Sequence, residues 1–297
     1  MSSSSDYEKI SVTAKLTAFL RTYSDIPYSQ ELSDKSNAKE ETLTLRTGNE
    51  EQMNYRAPQF EARYKLVTSI IEQVGIKQVL EIAAGLSARG LVLTKNPDVK
   101  YVETDLPGII KEKEAIAKSI LADSGDTLRS NLIFQAVNAF NSQELRNALA
   151  HFSKDRIAIV SEGLLTYLDH KELERLSTSL HEILSKHNGL WITDIPTNAF
   201  RKSLSQGGIW NTDKESNNLE KQLNRPITFL FETSKDVEDF FENHGFKVIG
   251  SYPYSETIDQ LTCIARLNLD KEKVRKFLAL RSVFVLEVNN PEVIPTK

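Results

Sequence analysis

The stretch from Gln78 to Pro107, QVLEIAAGLSARGLVLTKNPDVKYVETDLP, constrains the fold of this chain more than any other. It reads as strand, tight turn, helix and second strand, closed by an acidic residue. Val79, Leu80 and Ile82 form the apolar run of a buried parallel strand over Gln78 to Ala83. Ala83, Ala84 and Gly85 keep the following turn small enough for backbone to approach a ligand, and Ser87 is placed to cap the next helix. The second strand, Val99 to Thr104, runs into Asp105 about twenty residues after the turn, where a carboxylate can accept from both ribose hydroxyls.

Three readings stay open on this turn. A dinucleotide fingerprint needs glycines at both 83 and 85, and position 83 is alanine. S-adenosylmethionine has no pyrophosphate, tolerates the extra methyl and still needs the ribose acid. A small strand-to-helix turn also occurs in α/β sheets that bind nothing there.

The rest of the chain repeats the strand and helix alternation. Further strands are predicted at Asn131 to Val137, Arg156 to Ser161, Gly189 to Ile195, Phe246 to Tyr252 and Arg281 to Val288. Helices are predicted at Asp6 to Tyr23, Phe60 to Val74, Pro107 to Ser124, Asn141 to Phe152, His170 to Lys186 and Ser234 to Asn243. Glu31 to Gln52 reads as a polar surface connection with one short helix, and the residues between the last two strands as irregular. The pattern predicts one α/β domain over 1–297, a doubly wound, mostly parallel sheet of seven strands, with a helical extension at 1–74. A lid-like insertion at 196–233 carries Phe200, Trp210, Phe229 and Phe231 beside Gly207 and Gly208.

Composition narrows the partners. A net charge of −4 and a pI near 5.9, without a basic stripe, argue against nucleic acid. The single Cys263 excludes an internal disulfide framework and a multi-cysteine metal site, and is expected in the core. With no apolar leader and no long uncharged apolar run, no membrane association is expected, and the location is expected to be cytoplasmic. His181 and His187 stand six residues apart, on different faces of a helix, so no metal site is expected there. Ser161 lacks the flanking glycine of a hydrolase elbow.

The segments EIAAGLSARG, YVETDLPGIIKEK and SEGLLTYL, in this order and spacing, resemble the leucine carboxyl methyltransferase family, from Lys15 to about Ile195. That family comprises class I S-adenosylmethionine-dependent enzymes, including bacterial polyketide-type O-methyltransferases. The resemblance implies S-adenosylmethionine as cofactor, S-adenosylhomocysteine as product and no metal. It implies that Lys15 and Arg63 meet the methionyl carboxylate, that Ala83 and Gly85 form the cofactor turn, and that Asp105 binds the ribose. Asn138, followed by Ala139, stands where the family has an aspartate against the adenine amine, and Ala83 where it has a glycine. Glu162 matches the acid near the cofactor ammonium.

A carboxylate acceptor needs no base, whereas a phenol does, and no histidine or lysine stands out for that role. Tyr167, Arg201 and Trp210 are expected near the acceptor. The aromatic insertion favours a small-molecule acceptor, with its carboxyl group attacked. The alternatives are the C-terminal carboxylate of a protein, and a non-catalytic binding protein on the same sheet.

Overall fold

In a computed structural model the strands fall where apolar runs place them. The structure describes residues 11–44, 50–206 and 230–289. The strands are β1 (Gln78–Ile82), β2 (Lys100–Asp105), β3 (Leu132–Ala136), β4 (Ile157–Ser161), β5 (Leu190–Asp194), β6 (Phe246–Pro253) and β7 (Ser282–Val288). They form one sheet of seven in the order β3-β2-β1-β4-β5-β7-β6. All five residues of β1, β4 and β5 are buried, because helices cover both faces. Val79, Tyr101, Ala158, Val160 and Ile192 pack on one face, and Leu80, Val102, Ile157, Ile159 and Trp191 on the other, the two-residue period of a strand.

The sheet is parallel from β3 to β5, and β7 runs antiparallel to both neighbours, Asp194 pairing with Val283. Strand order reverses between β1 and β4, so the crevice of the topological switch opens at the carboxyl ends of these two strands.

The N-terminal helices are α1 (Ser11–Arg21), α2 (Ser29–Lys35), α3 (Ala38–Thr44) and α4 (Glu50–Val74). The expected polar connection at 31–52 thus holds two helices, and they dock through Leu32 and Ala38. Helix α4 begins at Glu50, eight residues before Pro58, whereas the sequence reading began this helix at Phe60. A mid-helix proline costs about 3 kcal/mol, and the buried Arg56, Ala57 and Gln59 around it show packing prevailing.

The remaining helices are α5 (Arg89–Leu93), α6 (Pro107–Asp123), α7 (Ser142–Ala148), α8 (His170–His187), α9 (Asn198–Gln206), α10 (Ser234–Asn243), α11 (Thr262–Arg266) and α12 (Lys271–Leu278). The last two, with a 3-10 segment Tyr254–Gln260, replace the irregular stretch expected ahead of β7. They bury Tyr254, Cys263, Val274 and Phe277, and Cys263 is a core residue as expected. Of the expected insertion, 207–229 with Trp210 and Phe229 lie outside the described residues. Its two flanks are joined by Asn198 N–H to Phe231 O at 2.8 Å and Ala199 N–H to Glu232 O at 3.1 Å. Among the described residues no helix is long and apolar enough to cross a membrane.

Candidate active site

A cavity opens over the carboxyl ends of β1, β2 and β4, roofed by α1 and walled by α4. Its floor is the turn after β1, where Ala83 and Gly85 both adopt left-handed backbone, at φ 53° and 49°. Gly85 lies so close under α1 that a Cβ there would stand 3.2 Å from the Ala14 methyl. Leu16, Phe19 and Leu20 of α1 pack with Phe60, Leu86 and Ile109, which fixes the helix over the turn. Ser87 serves the following helix from one position earlier than a standard cap: its Oγ accepts from Arg89 N–H at 3.3 Å, and Ala88 is the capping position.

Asp105 closes β2 and turns back to the floor. Its Oδ2 accepts from Gly85 N–H and its Oδ1 from Leu106 N–H, each at 2.7 Å. Burial pushes its carboxyl up, and the two amides only partly restrain the shift. This geometry ties the acid that ends one strand to the turn that ends the other.

Glu162, just past β4, is the centre of the charged wall. Arg21 of α1, Arg63 of α4 and Arg89 of α5 all donate to its carboxylate, Arg63 Nε at 2.9 Å. Burial alone would raise the Glu162 pKa, and the three guanidinium groups outweigh it, holding the acid far below the usual range. Burial likewise opposes the Arg63 cation, and Glu162 and Asp194 overcome it. Arg21 is lowered by burial, only partly offset by Glu162, and its Nε has no partner among the described residues.

Behind this wall Arg89 also binds Glu81, whose other oxygen accepts from Tyr101 OH at 2.8 Å. At the opposite end Asp194 closes β5. Its Oδ1 accepts from Gly163 N–H at 2.7 Å, and its Oδ2 from Arg281 Nη2 at 2.6 Å and Tyr254 OH at 3.0 Å.

The structure brings Arg63, Ala83, Gly85, Asp105, Asn138, Ala139, Glu162 and Tyr167 to the cavity wall. Asn138 is already engaged: its Oδ1 accepts from Phe140 N–H at 3.0 Å, and its backbone N–H meets Glu144 at 2.7 Å. Lys15 is not brought there. Its ammonium pairs with Glu41 at 2.5 Å and Glu112 at 3.2 Å, and Arg21, lower on the same helix, takes the place at the cavity. Arg201 also stays off the wall, where its neighbour Phe200 stands, as consecutive helical residues face different ways. Trp210 lies outside the described residues.

Sequence reasoning missed Arg21, Arg89, Asp194 and Arg281. Asp194 carried the same signal as Asp105 and Glu162, an acid at the carboxyl end of a parallel strand. Ser161 is a packing residue, its Oγ accepting from Trp191 Nε1 at 2.8 Å. No cluster suited to a metal ion occurs among the described residues.

Comparison with known proteins bears on this site. Residues 12–181 match the sequence model of the leucine carboxyl methyltransferase family. A DUF574 family protein from Streptomyces avermitilis shares the fold at TM-score 0.60 and 12% identity, over 93% of this chain and 97% of its own. A protein from Thermobifida fusca, proposed to be a methyltransferase, does so at TM-score 0.56 and 12% identity, over 93% and 94%. No curated protein matches the chain.

Proposed function

We propose, for a chain that belongs to the leucine carboxyl methyltransferase family and is thus an S-adenosylmethionine-dependent methyltransferase, that it methylates an oxygen of a small carboxylic acid. The bound cofactor supplies a sulfonium methyl: the acceptor oxygen forms the new O–C bond, the C–S pair stays on sulfur as S-adenosylhomocysteine, and a carboxylate gives up no proton.

The residues fit such a cofactor. Two left-handed residues at the turn present naked backbone, Asp105 keeps further acceptor capacity for a ribose, and the unpartnered Arg21 Nε suits an anion such as the methionyl carboxylate. We assign Arg63, Glu162 and Arg21 to the methionyl end, Ala83, Gly85 and Asp105 to the ribose, and Asn138 and Ala139 to the adenine. Lys15 steadies α1 through its ion pairs instead. The unit is read as one catalytic domain, 1–297, in which the 1–74 extension roofs the cofactor and 196–233 serves the acceptor.

The observation that carries the acidic acceptor is the charge of the cavity. Among the described residues Arg21, Arg56, Arg63 and Arg281 line it together with Glu81, Asp105 and Glu162, and behind this lining Arg89 pairs with Glu81 and Arg281 with Asp194. The cofactor's sulfonium adds a further cation to this arginine-lined cavity. An anionic acceptor is attracted to these guanidinium groups and the sulfonium, which a neutral phenol is not. Neither histidine nor lysine is among the described residues lining the cavity, which suits an acceptor needing no base.

A labelled-methyl screen across carboxylic acids, phenols and a phosphatase-tail peptide tests this reading. Base-labile product from small acids is expected. Base-stable label overturns the carboxyl acceptor, and labelling of the peptide alone overturns the small one.

A further inference from the structure

The cavity has two ends built by different parts of the sheet. The turn after β1, the end of β2 and Glu162 after β4 make one; Pro196 and Phe200 after β5 and Arg281 ahead of β7 make the other. Arg281 reaches this end because β7 is antiparallel. The pairing of Asp194 with Val283 sets the residue before β7 just past the carboxyl end of β5.

Arg281 is 6% exposed and held on several sides. Its Nη2 donates to Asp194 at 2.6 Å and its Nη1 to Gln59 Oε1 at 3.2 Å. Its Cζ lies 5.2 Å from the Phe200 ring centre and 5.3 Å from that of Tyr254, so the guanidinium plane is fixed. Tyr254 also donates to Asp194, which locks the acid that orients the arginine. Nε alone is buried with no partner among the described residues. A buried N–H without an acceptor is costly in a folded protein, and its usual explanation is a ligand or water that completes it.

We propose that Arg281 is the specificity-determining residue of the acceptor end, its Nε–H donating to one oxygen of the acceptor carboxylate, with Asp194 and Gln59 as positioning residues. This rests on the acidic-acceptor reading above. Arg21 Nε, also without a partner among the described residues, belongs to the Glu162 end and so to the cofactor.

Attachment through one nitrogen suits the chemistry. Methyl transfer cancels the negative charge of the attacking carboxylate, so a two-pronged guanidinium clamp would stabilise the reactant more than the transition state. With both Nη atoms engaged elsewhere and Asp194 beside the cation, Arg281 orients one oxygen and leaves the second free to attack. It selects the acceptor without strongly quenching it. Loss of Arg281 therefore raises KM far more than it changes kcat.

Calorimetry on the full chain saturated with S-adenosylhomocysteine tests this, with benzoate, hexanoate and their primary amides as probes. Wild type is expected to favour the acids about tenfold or more, one charge-assisted contact. Arg281→Lys keeps the charge, and the pair Arg281→Met with Asp194→Asn removes the arginine without stranding a buried carboxylate. Both variants are expected to lose the acid preference while S-adenosylhomocysteine affinity stays within about threefold. For any acid the enzyme methylates, KM is expected to rise about tenfold with kcat changed far less. Variants that keep the acid preference, or lose S-adenosylhomocysteine affinity in step with it, overturn the Arg281 assignment while the acidic-acceptor reading stands. A wild type that binds amides as well as acids overturns both.

Discussion

Gly163 lies directly beneath the guanidinium of Arg63: a Cβ built there would stand 2.7 Å from Nη1. Its φ of 76° is also left-handed, so two constraints meet on one residue. Gly163→Ala is expected to cost about 1–2 kcal/mol from backbone strain alone. It also pushes Arg63 off Glu162, so cofactor affinity should fall with the melting temperature. Retained affinity for S-adenosylhomocysteine by calorimetry would show that Arg63 can shift without loss.

Ala83 presents the converse case. It holds φ 53° with a Cβ, where the family resemblance places glycine. Ala83→Gly removes steric cost but loosens the unfolded chain, and the first effect prevails where φ is positive. A gain of about 0.5–1 kcal/mol in denaturant unfolding is expected, with cofactor affinity unchanged. A weaker complex would mean that the methyl itself touches the ligand.

Asp105 and Arg63 separate binding from stability. Asp105→Asn can still accept from one of the two backbone N–H groups and removes a charge that burial disfavours, so the fold is expected to hold while cofactor binding weakens by about 1–3 kcal/mol. Arg63→Ala instead strips a buried partner from Glu162 and removes the Nη1 that stands 3.7 Å from Asp194 Oδ2, so it should lower stability as well. Equal melting temperatures for the two variants would contradict the buried ion network.

What the sequence disclosed follows physical range. Strands β1 to β5 were legible because sheets covered on both faces select continuous apolar runs, and Asp105 and Glu162 because strand ends point at the crevice. The direction of β7 was not legible, since a strand buried on both faces reads alike in either sense. Arg281 therefore had no visible tie to the site. On α1, Lys15 and Arg21 are six residues apart and about 120° apart around the axis, so only one can face the turn. Which one is decided by Leu16 and Leu20 docking against Phe60 and Leu86, contacts far apart in sequence.

That placement is testable on its own. Lys15→Ala removes ion pairs with partly exposed carboxylates, worth about 0–1 kcal/mol, and should leave S-adenosylhomocysteine affinity unaltered. Arg21→Ala should weaken it measurably. Reversal of this order would return Lys15 to the cofactor.

Glu162 also sets how the protein responds to acid. Its folded pKa lies far below the ordinary value of 4.5, because three arginines outweigh the burial that would raise it. A depressed carboxyl pKa stabilises the folded state fully above the unfolded value and loses that stability as pH falls toward the folded one. Asp105 has the opposite sign: its raised pKa means that ionisation above the ordinary 3.8 works against folding. Glu162, with more partners, dominates the balance. Stability should therefore decline as pH drops below about 5 and keep declining well beyond the ordinary glutamate range. In Glu162→Gln the arginines lose their shared anion, at a cost of about 3 kcal/mol or more at neutral pH, and the acid-dependent part of the curve should flatten. Urea unfolding of both proteins between neutral and acidic pH reads this directly. Parallel curves for wild type and Glu162→Gln would show that the cluster does not govern acid stability.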